Sequence, residues 1–252
     1  MRGPARTAAF GTVAPLAMAL SMACAGAASA APSAAAPPRV LRFSGYAWSV
    51  VSSAEPRGPG PNRFDPRNAY IDADGRLVLE TAFRDGEWTS AHLFLKRSLG
   101  YGRYRLVLAP MDRPLDAMTV FGFFTWDDDP AFANREIDVE LARWAIPSAP
   151  NLNFAVQPAE GRPDRSGLYR LDCSARTTLA FDWGPEAVRF TAENESGCYV
   201  WEFPAGDDPE PFGAPPAGRE RVGLNLWLFR GLPPASADRV VIERFDFERQ
   251  KR

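Results

Sequence analysis

Three acidic residues alternate with three aliphatic ones in the stretch Arg135-Glu136-Ile137-Asp138-Val139-Glu140-Leu141. In a β-strand successive side chains point to opposite faces, so Glu136, Asp138 and Glu140 share one face and Ile137, Val139 and Leu141 the other. Like charges held this close disfavour ionisation, and such a row retains at least one proton. A site with one charged and one protonated carboxyl can cleave a glycosidic bond. One group attacks the anomeric carbon while the other, roughly 5 Å away, protonates the departing oxygen. Glu136 and Glu140 are about 13 Å apart along extended backbone, so their tips meet across a sugar only on the inside of a bend. The row therefore demands a curved sheet with a cleft. An exposed edge strand with an acidic outer face is the other reading of the same spacing.

Residues around the row add to the candidate site. Sugars present flat C–H faces that stack on aromatic rings, and Trp126 and Trp144 flank the acidic strand. Either could instead pack in a core, but Asp127-Asp128-Asp129-Pro130 follows Trp126 and favours exposure there. Trp48, Trp183 and Trp227 alternate with apolar neighbours and are expected in the core. Asn153 and Gln157, with Ala155 between them, lie on the next expected strand, where they could hold sugar hydroxyls or line an open polar face. Arg135 and Arg143 bracket the row on the opposite parity, as rim charges to which no chemistry is assigned. His92 is the single histidine. No Gly-x-Ser-x-Gly elbow accompanies it, so a zinc site or a serine triad has no support, and neither a metal nor an organic cofactor is expected.

The elements that must position these residues are strands. Period-two patterns and Pro/Gly-rich turns recur from Tyr46 to Phe247, and no amphipathic helix stands out. Strands are expected at Tyr46–Val51, Asn68–Ile71, Leu77–Phe83, Trp88–Lys96, Arg103–Leu108, Ala117–Trp126 and the acidic stretch. Further strands are expected at Asn153–Gln157, Leu168–Leu171, Thr178–Trp183, Val188–Ala192, Tyr199–Phe203, Val222–Phe229 and Val240–Phe247. So many short strands mean an all-β sandwich, barrel or jelly roll. No repeat of 20 to 50 residues is present, which disfavours a propeller or solenoid.

The N-terminus has Arg2 and Arg6, an Ala-rich apolar run, and small residues ending Ala28-Ser29-Ala30, the pattern of an export signal over residues 1–30. The run is too short for a membrane span. Cys24 raises lipidation, but Ser21 stands where that motif wants a Leu-like residue. Residues 31–39 form a Pro/Ala linker, and residues 40–252 are long enough for one sizeable domain. Without Arg2 and Arg6, the 29 Lys and Arg fall to 27 against 31 Asp and Glu, a net charge of −4. With no basic tract, nucleic acid and anionic membranes are not expected partners. The expected state is a monomer, secreted to the extracellular space or the periplasm. An oxidising compartment makes a Cys173–Cys198 disulfide reasonable, with two free thiols as the alternative.

The segment Glu136-Ile137-Asp138-Val139-Glu140 resembles the catalytic motif of glycoside hydrolase family 16 in its uninterrupted form. The resemblance extends to Ser98-Leu99-Gly100-Tyr101-Gly102-Arg103-Tyr104, Phe123-Phe124-Thr125-Trp126, Phe181-Asp182-Trp183 with Val188-Arg189-Phe190, and Asn225-Leu226-Trp227. It departs at Thr177, where many relatives carry His, and at Ile242-Glu243-Arg244-Phe245. It implies a jelly-roll sandwich of two curved antiparallel sheets, like that of concanavalin A-like lectins and glucanases, with the cleft across the concave face. By the same resemblance Glu136 is the nucleophile, Asp138 its assistant and Glu140 the acid/base, and Gln157 gains weight as a substrate ligand. Some members hold a structural Ca²⁺ near the C-terminus, where Glu243 or Asp246 would serve, though the pattern is loose. The expected activity is retaining endo-hydrolysis of a β-1,3- or mixed-linkage β-glucan. A non-catalytic carbohydrate-binding protein and a transglycosylase on the same fold are the alternatives.

Overall fold

The computed structural model describes residues 39–203 and 213–250. The expected export signal, Cys24 and the linker up to residue 38 lie outside the described residues. In chain order the strands are β1 (Val40–Phe43), β2 (Tyr46–Val50), β3 (Ala69–Ile71), β4 (Leu77–Glu80), β5 (Ala82–Arg84) and β6 (Glu87–Thr89). They continue as β7 (Ala91–Leu95), β8 (Gly102–Leu108), β9 (Thr119–Trp126), β10 (Ile137–Leu141), β11 (Leu152–Val156) and β12 (Ser166–Tyr169). The last are β13 (Thr177–Trp183), β14 (Val188–Asn194), β15 (Gly197–Phe203), β16 (Arg221–Leu228) and β17 (Arg239–Arg249). Eight form one sheet in the order β1-β2-β7-β16-β9-β10-β11-β12, and seven form a second, β15-β14-β13-β8-β17-β4-β3. Strands β5 and β6 make a separate hairpin. Every strand pairing is antiparallel, as expected of a jelly-roll sandwich.

The period of two in each strand sends one set of side chains between the sheets. From the eight-stranded sheet these are Leu93, Phe121, Phe123, Ile137, Val139, Leu141, Phe154, Leu224 and Leu226, all buried. The second sheet answers with Leu106, Leu179, Phe181, Phe190 and Phe245. Aromatic pairs bridge the two layers: Phe123 on Phe181 with ring centroids 5.2 Å apart, Phe154 on Phe190 at 5.1 Å, and Trp48 edge-on to Phe245 at 5.3 Å. Such pairs add about 0.5–1.5 kcal/mol each beyond the area they bury. Trp48 and Trp183 are core residues, as their neighbours suggest.

Four sequence expectations are corrected. The expected strand Leu77–Phe83 breaks at Thr81, where the backbone N–H donates to the Asp238 carbonyl and the hydroxyl accepts from the Asp238 N–H. The expected strand Trp88–Lys96 breaks at Ser90, whose hydroxyl donates to Asn62 at 2.8 Å. Strand β1, pairing with β2 from Val40 to Phe43, was not anticipated. Cys173 and Cys198 are free thiols, not a disulfide. Cys173 lies in the turn after β12 and packs toward the core, with Asn151 Nδ2 3.7 Å from its sulfur. Cys198 sits on the edge strand β15, where exposure alternates and its side chain faces solvent.

Of the residues suggested for calcium, Glu243 is ion-paired to Arg176, and Asp246 to Arg105 and Arg244. Among the described residues no group of three or more His, Cys, Asp or Glu side chains is arranged to hold a metal ion. No described helix is long and apolar enough to cross a membrane.

Candidate active site

The face of the eight-stranded sheet that points away from the core is hollowed into a cleft of about 1060 Å³. Parity puts the acidic row in its floor: Ile137, Val139 and Leu141 go to the core, and Asp138 and Glu140 line the cleft. Glu136 stands one residue ahead of β10 but remains extended, at φ −86° and ψ 122°. Its carbonyl accepts from the Gln157 N–H at 3.0 Å, which carries the β10–β11 ladder one step further. All three carboxyls therefore share the cleft face. Their spacing requires a strand that lines a cleft, and the row lines one.

Both ends of the acidic strand are turned by left-handed backbone. Ahead of it Ala133, Asn134 and Arg135 have φ of 46°, 57° and 50°, and after it Trp144 and Ala145 have φ of 51° and 65°. Non-glycine residues in this region cost about 1–2 kcal/mol each, and surrounding bonds must hold them. On the leading side the holder is Asp127, buried at 4% exposure. It ion-pairs with Arg135 at 2.7 Å and accepts from the Arg219 N–H at 3.0 Å. Thr125 Oγ1 donates to the Arg135 carbonyl at 2.7 Å and accepts from the Ile137 N–H at 3.1 Å, tying β9 to the start of β10. Arg135 is thus a buried clamp behind Glu136 and not a rim charge. Arg143 bonds the Pro147 and Leu115 carbonyls and takes no part in the cleft.

The remaining sequence candidates all line the cleft. Gln157 Nε2 donates to Asp138 Oδ2 at 2.9 Å, while its Oε1 accepts from the Ala159 N–H at 2.8 Å. Asn153 stands opposite Glu140 in the ladder. Its amide is used within the protein: Nδ2 donates to the Ala142 carbonyl and Oδ1 accepts from the Trp144 indole N–H, both at 3.1 Å. Asn153 therefore positions Trp144. Trp126 is oriented by donation of its indole N–H to Asp128 Oδ1 at 3.2 Å. Trp227, expected in the sandwich core, lies on the cleft face 6.3 Å from Trp144, because Gly223, Asn225 and Trp227 share the parity opposite Leu224 and Leu226.

No family model matches the sequence, and no curated protein matches it at a significant level. Solved structures do match. The β-glucanase of Bacillus licheniformis superposes with a TM-score of 0.61 at 14% identity, over 86% of this chain and 100% of its own. A family 16 glycosyl hydrolase from Mycobacterium smegmatis gives 0.56 at 20% identity, over 77% and 89% of the two chains. The Bacteroides ovatus mixed-linkage glucan family 16 protein, in complex with a G4G4G3G product, gives 0.56 at 14% identity, over 80% and 94%. The chain has a glycoside hydrolase family 16-like fold. At these identities the likeness speaks for the fold, and the chemistry must be argued from the cleft.

In the cleft the row is poised to hold protons. Burial, then the charges of Asp138 and Glu140, push Glu136 far above the usual carboxylate range. Burial, then the charge of Asp138, does the same to Glu140. Burial raises Asp138 to about 7, against the pull of the Gln157 amide, which favours its ionised form. The three titrate as one set, so protons belong to the row and not to single residues. A row that carries fewer than three charges at neutral pH can offer an acid and an anion at once.

Sequence reasoning passed over one side of this cleft. His92 was weighed only as a metal or triad residue, yet it lies buried against Phe64, Phe94 and Phe124 and lines the cleft. The signal was present in Ala91-His92-Leu93-Phe94-Leu95, where His92 and Phe94 share the parity opposite three aliphatic residues. Asn225, on a stretch expected in the core, is its partner in the ladder.

Proposed function

We propose that this chain is an exported, retaining endo-glycosidase that cleaves internal β-linkages of a polysaccharide, with a β-1,3- or mixed-linkage β-glucan as the first candidate. The observation that carries the reading is the row Glu136, Asp138 and Glu140 on one face of an extended strand, in the floor of an open cleft. Glu140, raised by burial and by Asp138, keeps a proton to give to the glycosidic oxygen as the bond to the anomeric carbon breaks. Glu136 attacks that carbon to form a glycosyl ester. Positive charge developing on the sugar draws negative charge to Glu136, and its proton passes along the row to Asp138, about 7 Å of backbone away. Glu140, now ionised, takes a proton from water, which hydrolyses the ester and restores the row. Trp126 and Trp144 offer ring faces for sugars on either side. The cleft's openness suits an internal stretch of polymer.

The test is release of reducing ends from laminarin, lichenan, xyloglucan, agarose and carrageenan by the purified chain beside Glu136→Gln. Cleavage of a glycan that is lost in the variant supports the assignment, and its identity names the substrate. Cleavage that survives in Glu136→Gln refutes the nucleophile. Binding of a glycan with no cleavage replaces the hydrolase with a lectin-like protein.

A further inference from the structure

Opposite the acidic row, the other half of the cleft holds two arginines among aromatic rings and is incompletely bonded. One ladder row crosses four strands through His92 on β7, Asn225 on β16, Gly122 on β9 and Glu140 on β10. At the usual strand spacing His92 is about 14 Å from Glu140. His92 and Asn225 are 6% and 4% exposed. Both ring nitrogens of His92 and Oδ1 of Asn225 are buried with no hydrogen-bond partner among the described residues. A Cβ on Gly122 would meet Asn225 Oδ1 at 2.4 Å, so the amide oxygen lies across the bare glycine, between His92 and Glu140. Buried polar atoms are rarely left unpaired, and these wait on a partner that enters the cleft.

Two arginines stand around this pair. Arg221 and Arg57 both line the cleft, and neither has an acidic partner among the described residues. The Arg221 guanidinium lies 4.9 Å over the Phe94 ring, whose centroid is 4.6 Å from that of His92. The Arg57 backbone is pinned by two hydrogen bonds to Asn62, at 2.8 and 2.9 Å. Burial, then the charges of Arg57 and Arg221, hold His92 neutral at about 3. His92 therefore offers one donor and one acceptor, as suits a hydroxyl, and the positive charge of this half rests on the arginines. Two guanidiniums that line a cleft with no carboxylate partner among the described residues fit an oxyanion, which their planar forks bind in two-pronged fashion.

Resting on the glycosidase reading above, but with a charged polymer in place of an unsubstituted β-glucan as its substrate, we propose that the polysaccharide cleaved is anionic. Arg57 and Arg221 take a sulfate ester or carboxylate on one sugar, and His92 and Asn225 take its hydroxyls. The acidic row does not forbid this, since it stands on the far side of the cleft and retains protons at neutral pH.

The test is direct binding by the full chain carrying Glu136→Gln, so that no polymer is consumed. Neutral laminarin is compared with its sulfated and carboxymethylated derivatives by affinity electrophoresis in 50 mM salt. At least one derivative is expected to bind about tenfold tighter, or about 1.4 kcal/mol, and the two arms tell which oxyanion is preferred. The preference should vanish with Arg57→Gln and Arg221→Gln, each alone weakening it, and persist with Arg189→Gln on the opposite sheet. Thermal melts establish that each variant is folded. Equal binding of neutral and charged polymers, binding of none, or a preference that survives both substitutions overturns the proposal. Reducing-end release by the wild-type chain is scored separately. A chain that prefers the anionic polymer without cleaving it retains this subsite and loses the hydrolase reading, whereas cleavage of neutral glucan with no charge preference does the reverse.

Discussion

The Gln157 amide donates to Asp138 Oδ2 at 2.9 Å while the same side chain accepts from the Ala159 backbone, so its orientation is fixed from behind. This donor favours charge on the middle member of the row and works against burial there. Gln157→Leu is expected to raise the first ionisation of the row. A hydrogen bond to a charged group is worth about 1.5–3 kcal/mol, and one pH unit is about 1.4 kcal/mol. The acid limb of kcat/KM should therefore move up by about one to two units, with activity near its plateau retaining a measurable rate. A profile that does not move would mean that Asp138 takes no part in the ionisation that activates the site.

Stability should respond to the same carboxyls in the opposite sense from ordinary acid denaturation. In the unfolded chain Glu136 and Asp138 titrate near pH 4, but in the folded protein Asp138 is raised to about 7 and Glu136 to about 10. Between about pH 4 and 7 the folded state holds more protons, so stability falls as pH rises. Asp127 and Asp72 are lowered instead, and they lose their contribution only as pH falls below about 4. Glu136→Gln and Asp138→Asn are expected to flatten the decline and to raise Tm at pH 7. For a domain of this size each kcal/mol gained is about 2–4 °C. Thermal melts from pH 4.5 to 8 check this, and a wild-type Tm that climbs across the window would contradict the raised values.

Much of this site was legible because a strand's parity is fixed. Once Ile137, Val139 and Leu141 face the core, Glu136, Asp138 and Glu140 must face the cleft, and Asn153 and Gln157 follow on the neighbouring strand. Parity also explains the misplacement of Trp227. Its strand is apolar on both faces, because the cleft face beside it is itself aromatic, so alternation in hydrophobicity is lost. Thr81 and Ser90 interrupt strands through bonds to residues far along the chain, Asp238 and Asn62, which no local pattern carries. The two thiols could not be judged from their spacing, since whether they meet depends on which face of β15 Cys198 takes. Arg135 was misjudged because its partner Asp127 lies across a loop whose left-handed turns leave no mark in composition.

Asp127 and Arg135 give a stability prediction separate from the acidic row. Their ion pair is buried, and Asp127 also accepts from the backbone of Arg219 and Asp129. Asp127→Ala leaves the Arg135 guanidinium buried beside Phe132 with only its bond to the Pro216 carbonyl and the weaker approach of Asp129. Breaking a buried pair from one side costs about 3–5 kcal/mol, so Tm should drop by on the order of 10 °C. Because this loop delivers Glu136, activity below Tm should fall as well. Loss of less than 1 kcal/mol in a denaturant titration would show that the loop is held by other contacts.

Trp144 is held over the cleft by Asn153. Trp144 has left-handed backbone, and its indole N–H is bonded to Asn153 Oδ1 at 3.1 Å. Its ring also packs edge-on to Phe229 at 5.4 Å, so removing one bond should loosen the ring without releasing it. Asn153→Ala is expected to raise KM a few-fold with kcat nearly unchanged, since the chemistry at Glu136 and Glu140 is untouched. Trp144→Ala should raise KM by about tenfold, the loss of one stacking contact of about 1–1.5 kcal/mol. Combining the two should cost no more than Trp144→Ala alone, because Asn153 acts through the ring. Additive effects in the double variant would instead place Asn153 in direct contact with the sugar.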